Sequence, residues 1–308
     1  MKSFIRPCMY LLGGFVLVML SWQSGYGQIS SGIGGTIDEL QNATSEMWRS
    51  QIFVVAKYLF AATASLDLLF YGIRIVYGSG SFNFEHFMIQ IGIYLLFFAA
   101  LYFFDAFDRI VYGFIQIAQF ITGQGGYSEG KIIATGLDYF LKTIESSFVG
   151  AGASISIFSL GDGNLRAIGT FLFGAFSAFL VLIGFFIIAV QYAYITVKTT
   201  IILSVGPFFL GFLPLNVSRA IGERYLSAVI KLGIEVFFFY IVLAFGMTAL
   251  DQAMYEVKYL SIVDYYTVWT LLFLCYLTST LLAKLPSQLS GFITQNINIS
   301  LEKLLPER

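Results

Sequence analysis

Between Gly169 and Leu213 the chain carries one charged residue, Lys198, in a run of otherwise apolar and small side chains. A bilayer crossing needs only about 20 apolar residues in a helix, so this run exceeds one crossing. A helix of a soluble domain keeps a polar face toward water, and Ala175 to Ile188 has no charged or amide side chain with which to make one. The sequence therefore reads as an integral membrane protein. Composition agrees: 58% of the residues are hydrophobic and 11% charged, against roughly 25% charged in ordinary globular domains. A formal net charge of -1 leaves no broad basic surface, so any contact with nucleic acid would be local.

The expected fold class is all-α, a polytopic helical membrane protein with about five, alternatively six, transmembrane helices plus periplasmic amphipathic helices. Residues 1–27 read as a signal peptide. Lys2 and Arg6 form its charged region, Met9 to Leu20 its apolar region, and Gly25-Tyr26-Gly27 its small-residue cleavage site. An uncleaved first membrane helix is the other reading. Residues 28–106 hold an exported segment, with Thr44 or Ser45 as a helix cap, and two spans, Trp48 to Tyr77 and Phe87 to Phe104. Between the spans lie a short turn at 78–81 and His86, read as a solvated side chain at a loop-to-helix junction. Residues 107–168 show apolar residues at helical spacing with charges on other faces, the pattern of amphipathic helices on a membrane or a partner. Residues 169–285 hold the C-terminal spans, and 286–308 a cytoplasmic tail.

Ionisable groups at membrane depth are costly and turn toward a bundle interior or water. Asp67 and Arg74, seven residues apart on one helical face, cannot pair directly. Asp67 is expected to have a buried partner, and Lys57 and Arg74 to snorkel to the interfaces. Asp105 with Arg109, and Lys231 with Glu235, have the spacing of intrahelical pairs. Asp67, Arg74 and Glu235 are thus the candidate buried or partner-facing groups. Arg219 and Arg224 lie in a polar connection that positive-inside bias assigns to the cytoplasm, as candidate cytoplasmic contacts. Gly206-Pro207 is the expected helix break, since proline cannot complete the helical ladder; Thr199 to Leu213 either dips in and returns or extends the preceding helix. Gly174-x-x-x-Ala178 is a small-residue pattern that permits close helix packing.

Chemistry-bearing motifs are scarce. Gly125 to Lys131 spells GGYSEGK, but Ile132 stands where a phosphate-binding loop needs a hydroxyl for magnesium. A single histidine cannot supply the H-E-x-x-H of a metalloprotease. No cofactor site, metal site or enzyme activity is expected. A secondary transporter or solute channel would suit the intramembrane charges and a broken helix, although the two halves show no inverted repeat.

One set of segments has a recognisable order. Leu59-Phe60 to Tyr71-Gly72-Ile73 comes first, then Gly206-Pro207-Phe208-Phe209-Leu210 with the arginine-containing connection. Tyr225-Leu226 leading to Lys231-Leu232-Gly233 follows, and Leu285-Pro286 to Ser290-Gly291 closes the set. In this order, over nearly the whole chain, the sequence resembles the TrbL/VirB6 family of polytopic inner-membrane subunits of type IV secretion and conjugation machines. The resemblance implies a non-enzymatic channel or platform component in the bacterial inner membrane, with the mature N-terminus in the periplasm. It also implies a ring-shaped homo-oligomer, such as a pentamer. Further implied partners are a VirB5-like stalk or minor-pilin protein, VirB3-, VirB8- and VirB10-like components, membrane lipid, and DNA or protein as transient cargo.

Overall fold

The computed structural model describes residues 26–77, 84–123, 127–152, 162–215, 217–260 and 265–294. Among these the regular structure is all helical, in seven helices: α1 (Tyr26–Tyr77), α2 (Phe84–Tyr102), α3 (Asp105–Thr122), α4 (Glu129–Gly152), α5 (Asp162–Leu210), α6 (Arg219–Leu260) and α7 (Tyr265–Thr294). Four stretches are long and apolar enough to cross a membrane: Met47–Tyr77, Leu172–Leu210, Arg219–Tyr255 and Val268–Thr294. A fifth arises if α2 and α3, bent by 59° at their junction, form one broken span. The expected signal peptide, apart from its last two residues, lies outside the described residues. So do the turn at 78–81, the His86 side chain and the tail from 295.

α1 continues N-terminally through Thr44 and Ser45, so neither caps a helix start. Side chains of Ser and Thr inside the apolar helices bond back to their own backbone, which removes donors that hydrocarbon could not satisfy. The Thr196, Thr199 and Thr200 hydroxyls, for example, donate to the carbonyls of Tyr192, Ile195 and Thr196 at 2.8–3.1 Å.

Two apolar cores divide the bundle. One joins α4 to α7 through Ile132, Phe185, Ile188, Leu243, Met247 and Leu271. The other joins α1, α2 and α3 to the end of α5 and the start of α6, through Ala56, Phe60, Phe97, Leu101, Leu210 and Tyr225. Ile202 packs against both.

The helices of 107–168 do not stand apart as a layer of their own. α4 packs chiefly on α5, and α3 on α6. Gly136 makes the first contact possible, because a Cβ there would lie 2.6 Å from Cβ of Phe185. Phe114 occupies the equivalent space beside Gly233 of α6. The amphipathic pattern is real: one side of each helix packs on the chain's own spans, while Ile110, Ile117, Phe120 and Ile121 of α3 stay exposed. Ala178, of the small-residue pattern, is likewise fully buried inside the chain.

The GGYSEGK stretch has a structural use over its described part. Ser128 precedes α4 and its hydroxyl accepts the Lys131 N–H at 3.3 Å, an N-terminal cap, while Lys131 lies over the Tyr127 ring. Burial, with a smaller contribution from the Asp251 carboxylate, pushes the Tyr127 phenol above its ordinary range.

Candidate functional site

The polar groups that matter gather where α5 ends and α6 begins. Pro207 does not break α5: the helix runs through it to Leu210, so Thr199 to Leu213 extends the preceding helix. The missing proline N–H is tolerated because the helix is already close to its end. Beyond Leu210 the backbone tightens, with Phe212 and Leu213 donating to the carbonyls of Phe209 and Leu210 at 3.2 and 3.1 Å. That geometry leaves the next carbonyls free in an apolar setting, where each needs a donor. Three side chains supply them. Thr63 of α1 reaches the Gly211 carbonyl at 2.9 Å, Ser218 reaches that of Phe212 at 3.0 Å, and Nε of Arg219 reaches that of Leu213 at 3.2 Å.

Arg219 is therefore not a free cytoplasmic contact. It is buried, its guanidinium over the Phe97 ring at 5.9 Å. Its neighbour Arg224 is exposed. Gly206, assigned to a break, instead makes room: a Cβ there would lie 2.0 Å from the Tyr225 hydroxyl and 2.5 Å from Cζ of Phe104. Its role is close approach, which spacing along the chain could not reveal.

Asp67 lies beside this junction. It is buried, and its Oδ2 accepts from Nε2 of Gln90 at 2.6 Å and from the Tyr94 hydroxyl at 2.5 Å. Gln90 also donates to the Tyr94 oxygen at 2.7 Å, while its own Oε1 is buried without a hydrogen-bond partner. Tyr94, which donates to Asp67, and Phe97, under the Arg219 guanidinium, belong to the same apolar core. Arg74, at the far end of α1, is exposed and is not brought into this cluster.

Two more ionic contacts tie helices together, and both replace pairings expected from spacing. Arg49 of α1 binds Asp105 and Asp108 of α3 at 2.5 Å each, with its guanidinium over Phe104 at the α2–α3 bend. Asp105 thus pairs with Arg49, and Arg109 is exposed. Glu235, 8% exposed, binds Nζ of Lys198 on α5 at 2.6 Å, leaving Lys231 exposed. In apolar surroundings a charge gains most from a partner on another helix, where both groups leave the lipid. Exposed pairs along one helix are worth only a few tenths of a kcal/mol.

Removing Lys198 should cost about 3–5 kcal/mol, because Glu235 is left buried and uncompensated, and removing Glu235 should cost less, because Lys198 is partly exposed. Lys198→Ala is expected to lower the melting temperature in detergent clearly. Lys198→Met with Glu235→Met together should recover most of the loss. A double variant no more stable than Lys198→Ala would mean that the pair contributes geometry rather than charge compensation.

These clusters contain no nucleophile with a base, and no group of three or more metal-ligating side chains occurs among the described residues. The arrangement defines a multi-pass membrane protein whose polar residues fasten helices to one another. A family model described as TrbL/VirB6 plasmid conjugal transfer protein matches residues 64–285, and the chain belongs to that family. The match covers α2 to α6 entire, the C-terminal part of α1 and most of α7, and it includes Asp67, Arg219 and Gly206. A comparison with curated proteins gives no significant match. Family membership implies a structural component of a conjugal-transfer or type IV secretion system, working in a complex with other components.

Proposed function

We propose that the chain is a channel or platform subunit of a type IV secretion machine, helping DNA or protein cargo across the cell envelope and supporting assembly of the stalk or pilus. The family match over 64–285 carries this reading. The buried ionic and hydrogen-bonded ties between helices support it, since they suit a scaffold that holds its shape while other components act on it.

The proposed location is the bacterial inner membrane, with the mature N-terminus in the periplasm. α6 and α7 pack side by side, with Gly246 against Thr278. The exposed Arg224 and Lys231 near the start of α6 therefore lie on the side where α7 ends, and positive-inside bias assigns that side to the cytoplasm. Further copies of the chain in a ring, a VirB5-like stalk protein and VirB3-, VirB8- and VirB10-like components are the proposed partners.

An in-frame deletion, complemented by the intact gene, tests the reading. Plasmid transfer or effector secretion is expected to fall to background and return on complementation, with growth on diverse solutes unchanged. Intact transfer and secretion together with a defect in uptake of one solute would instead assign the chain to the transporters.

A further inference from the structure

We infer that the outer part of the α1–α2 hairpin is an interface between copies of this chain, the α1 side of one hairpin seated on the α2 side of the next. The inference rests on the proposed ring and names the surface that closes it. α1 and α2 lie antiparallel, joined by the contacts of Asp67 with Gln90 and Tyr94 and by the Tyr71 ring stacked on Phe87. Along α1, Arg49 lies against Phe104, which borders Gly206, and Thr63 further on bonds to Gly211. α1 therefore runs in the direction in which α5 ends. Leu68 is the furthest residue of α1 packed against the second core, and the helix continues to Tyr77, roughly 13 Å beyond at 1.5 Å per residue.

Both sides of the hairpin are apolar and open. Leu69, Ile73 and Val76 follow at i, i+4 and i+7 on α1, and Met88, Gly92 and Leu95 do so on α2; all are exposed. A Cβ added at Gly92 would meet nothing within 4 Å, which leaves space for a side chain from another helix. Apolar sides this broad mark an interaction surface rather than one left to water. Their height argues against lipid. The hairpin runs on from Phe97, where Arg219 sits, while Arg224 and Lys231 lie back along the returning α6. The outer hairpin is thus past the cations assigned to the cytoplasmic side.

Copies arranged about an axis normal to the membrane stand at one depth, so what lies beside a hairpin is the next copy's hairpin. Two different apolar sides make that contact head-to-tail, the kind that closes into a ring. Charge favours the same neighbour. From the Tyr71–Phe87 stack toward the tip, α1 carries Arg74 and α2 carries Glu85, both exposed. The two stand at similar height with opposite sign, and an adjacent copy offers each of them the other.

Cross-linking between two differently tagged full-length copies tests this in native membranes. Both carry Cys8→Ser and Cys275→Ala; one adds Leu69→Cys and the other Met88→Cys. Oxidation with copper phenanthroline is expected to join the two tags about tenfold faster than when Leu69→Cys is paired with Phe273→Cys on α7, because neighbouring thiols meet at high effective concentration. Arg74→Glu in all copies should lower the yield roughly two- to fivefold, and adding Glu85→Arg should restore it. If Leu69→Cys does not accumulate, Val76→Cys with Phe84→Cys replaces the pair. Without a mixed disulfide, thiols reactive toward a lipid-soluble reagent, a water-soluble one or neither would put lipid, water or another protein on the hairpin. A Leu69→Cys disulfide with itself as strong as the mixed one would mean a face-to-face contact. Each of these results overturns the inference, and loss of transfer on gene deletion would still leave the proposed function standing.

Discussion

Asp67→Leu is expected to be among the most damaging single changes in the protein. It leaves the Tyr94 hydroxyl and the Gln90 amide without their shared acceptor, and it strips a carboxylate from the core that holds the Arg219 guanidinium. A buried donor left without its acceptor costs about 1–3 kcal/mol, and here there are two. Asp67→Asn keeps an acceptor and should cost about 1–2 kcal/mol, with Tyr94→Phe near 1 kcal/mol. The order leucine, asparagine, then Tyr94→Phe should appear both in melting temperature in detergent and in the steady-state amount of protein in the membrane. An Asp67→Leu protein as stable as the parent would show that the carboxylate is not holding α1 to α2.

The second large effect is expected at Gly206. A valine there must place Cβ where the Tyr225 oxygen and the Phe104 ring already sit. Overpacking a filled core costs about 1–3 kcal/mol and sometimes more, and neither obstacle here is free to leave. Phe104 is held under Arg49, and the Tyr225 ring is stacked on Phe209. Gly206→Val should therefore fail to accumulate, and Gly206→Ala should be intermediate. The closest obstacle is an oxygen that is buried without a hydrogen-bond partner, so Tyr225→Phe alone should be tolerated. Combined with Gly206→Ala it should recover part of the loss. If Gly206→Val matched the parent in stability, the close approach of α5 and α6 would not be the reason for glycine here.

Much of the architecture could be read from apolar runs, because length and hydropathy alone separate a crossing from a soluble helix. Asp67 could be singled out as a carboxylate amid apolar neighbours, but Gln90 and Tyr94 could not be matched to it, since their meeting depends on how α2 lies against α1. The ionic pairs failed for a related reason. Spacing proposes partners on one helix, Asp105 with Arg109 and Lys231 with Glu235, whereas the fold supplies Arg49 and Lys198 from others. Gly206-Pro207 invited a break because a proline inside a helix normally costs one. What decided the outcome was position, three residues before a C-terminus whose carbonyls are satisfied from elsewhere in the chain. Residues 107–168 were legible as amphipathic helices, yet periodicity cannot say what covers an apolar face.

The end of α5 depends on a hydroxyl made 148 residues earlier in the chain, Thr63 with Gly211. During synthesis α1 must already be in the membrane, and still close by, when Gly211 leaves the ribosome. A fragment trimmed to the matched residues 64–285 would begin one residue too late for Thr63 and would lack Arg49. It would expose the Gly211 carbonyl and release Asp105 and Asp108. Expression of this protein is therefore best started upstream of Arg49, whatever limits sequence comparison suggests.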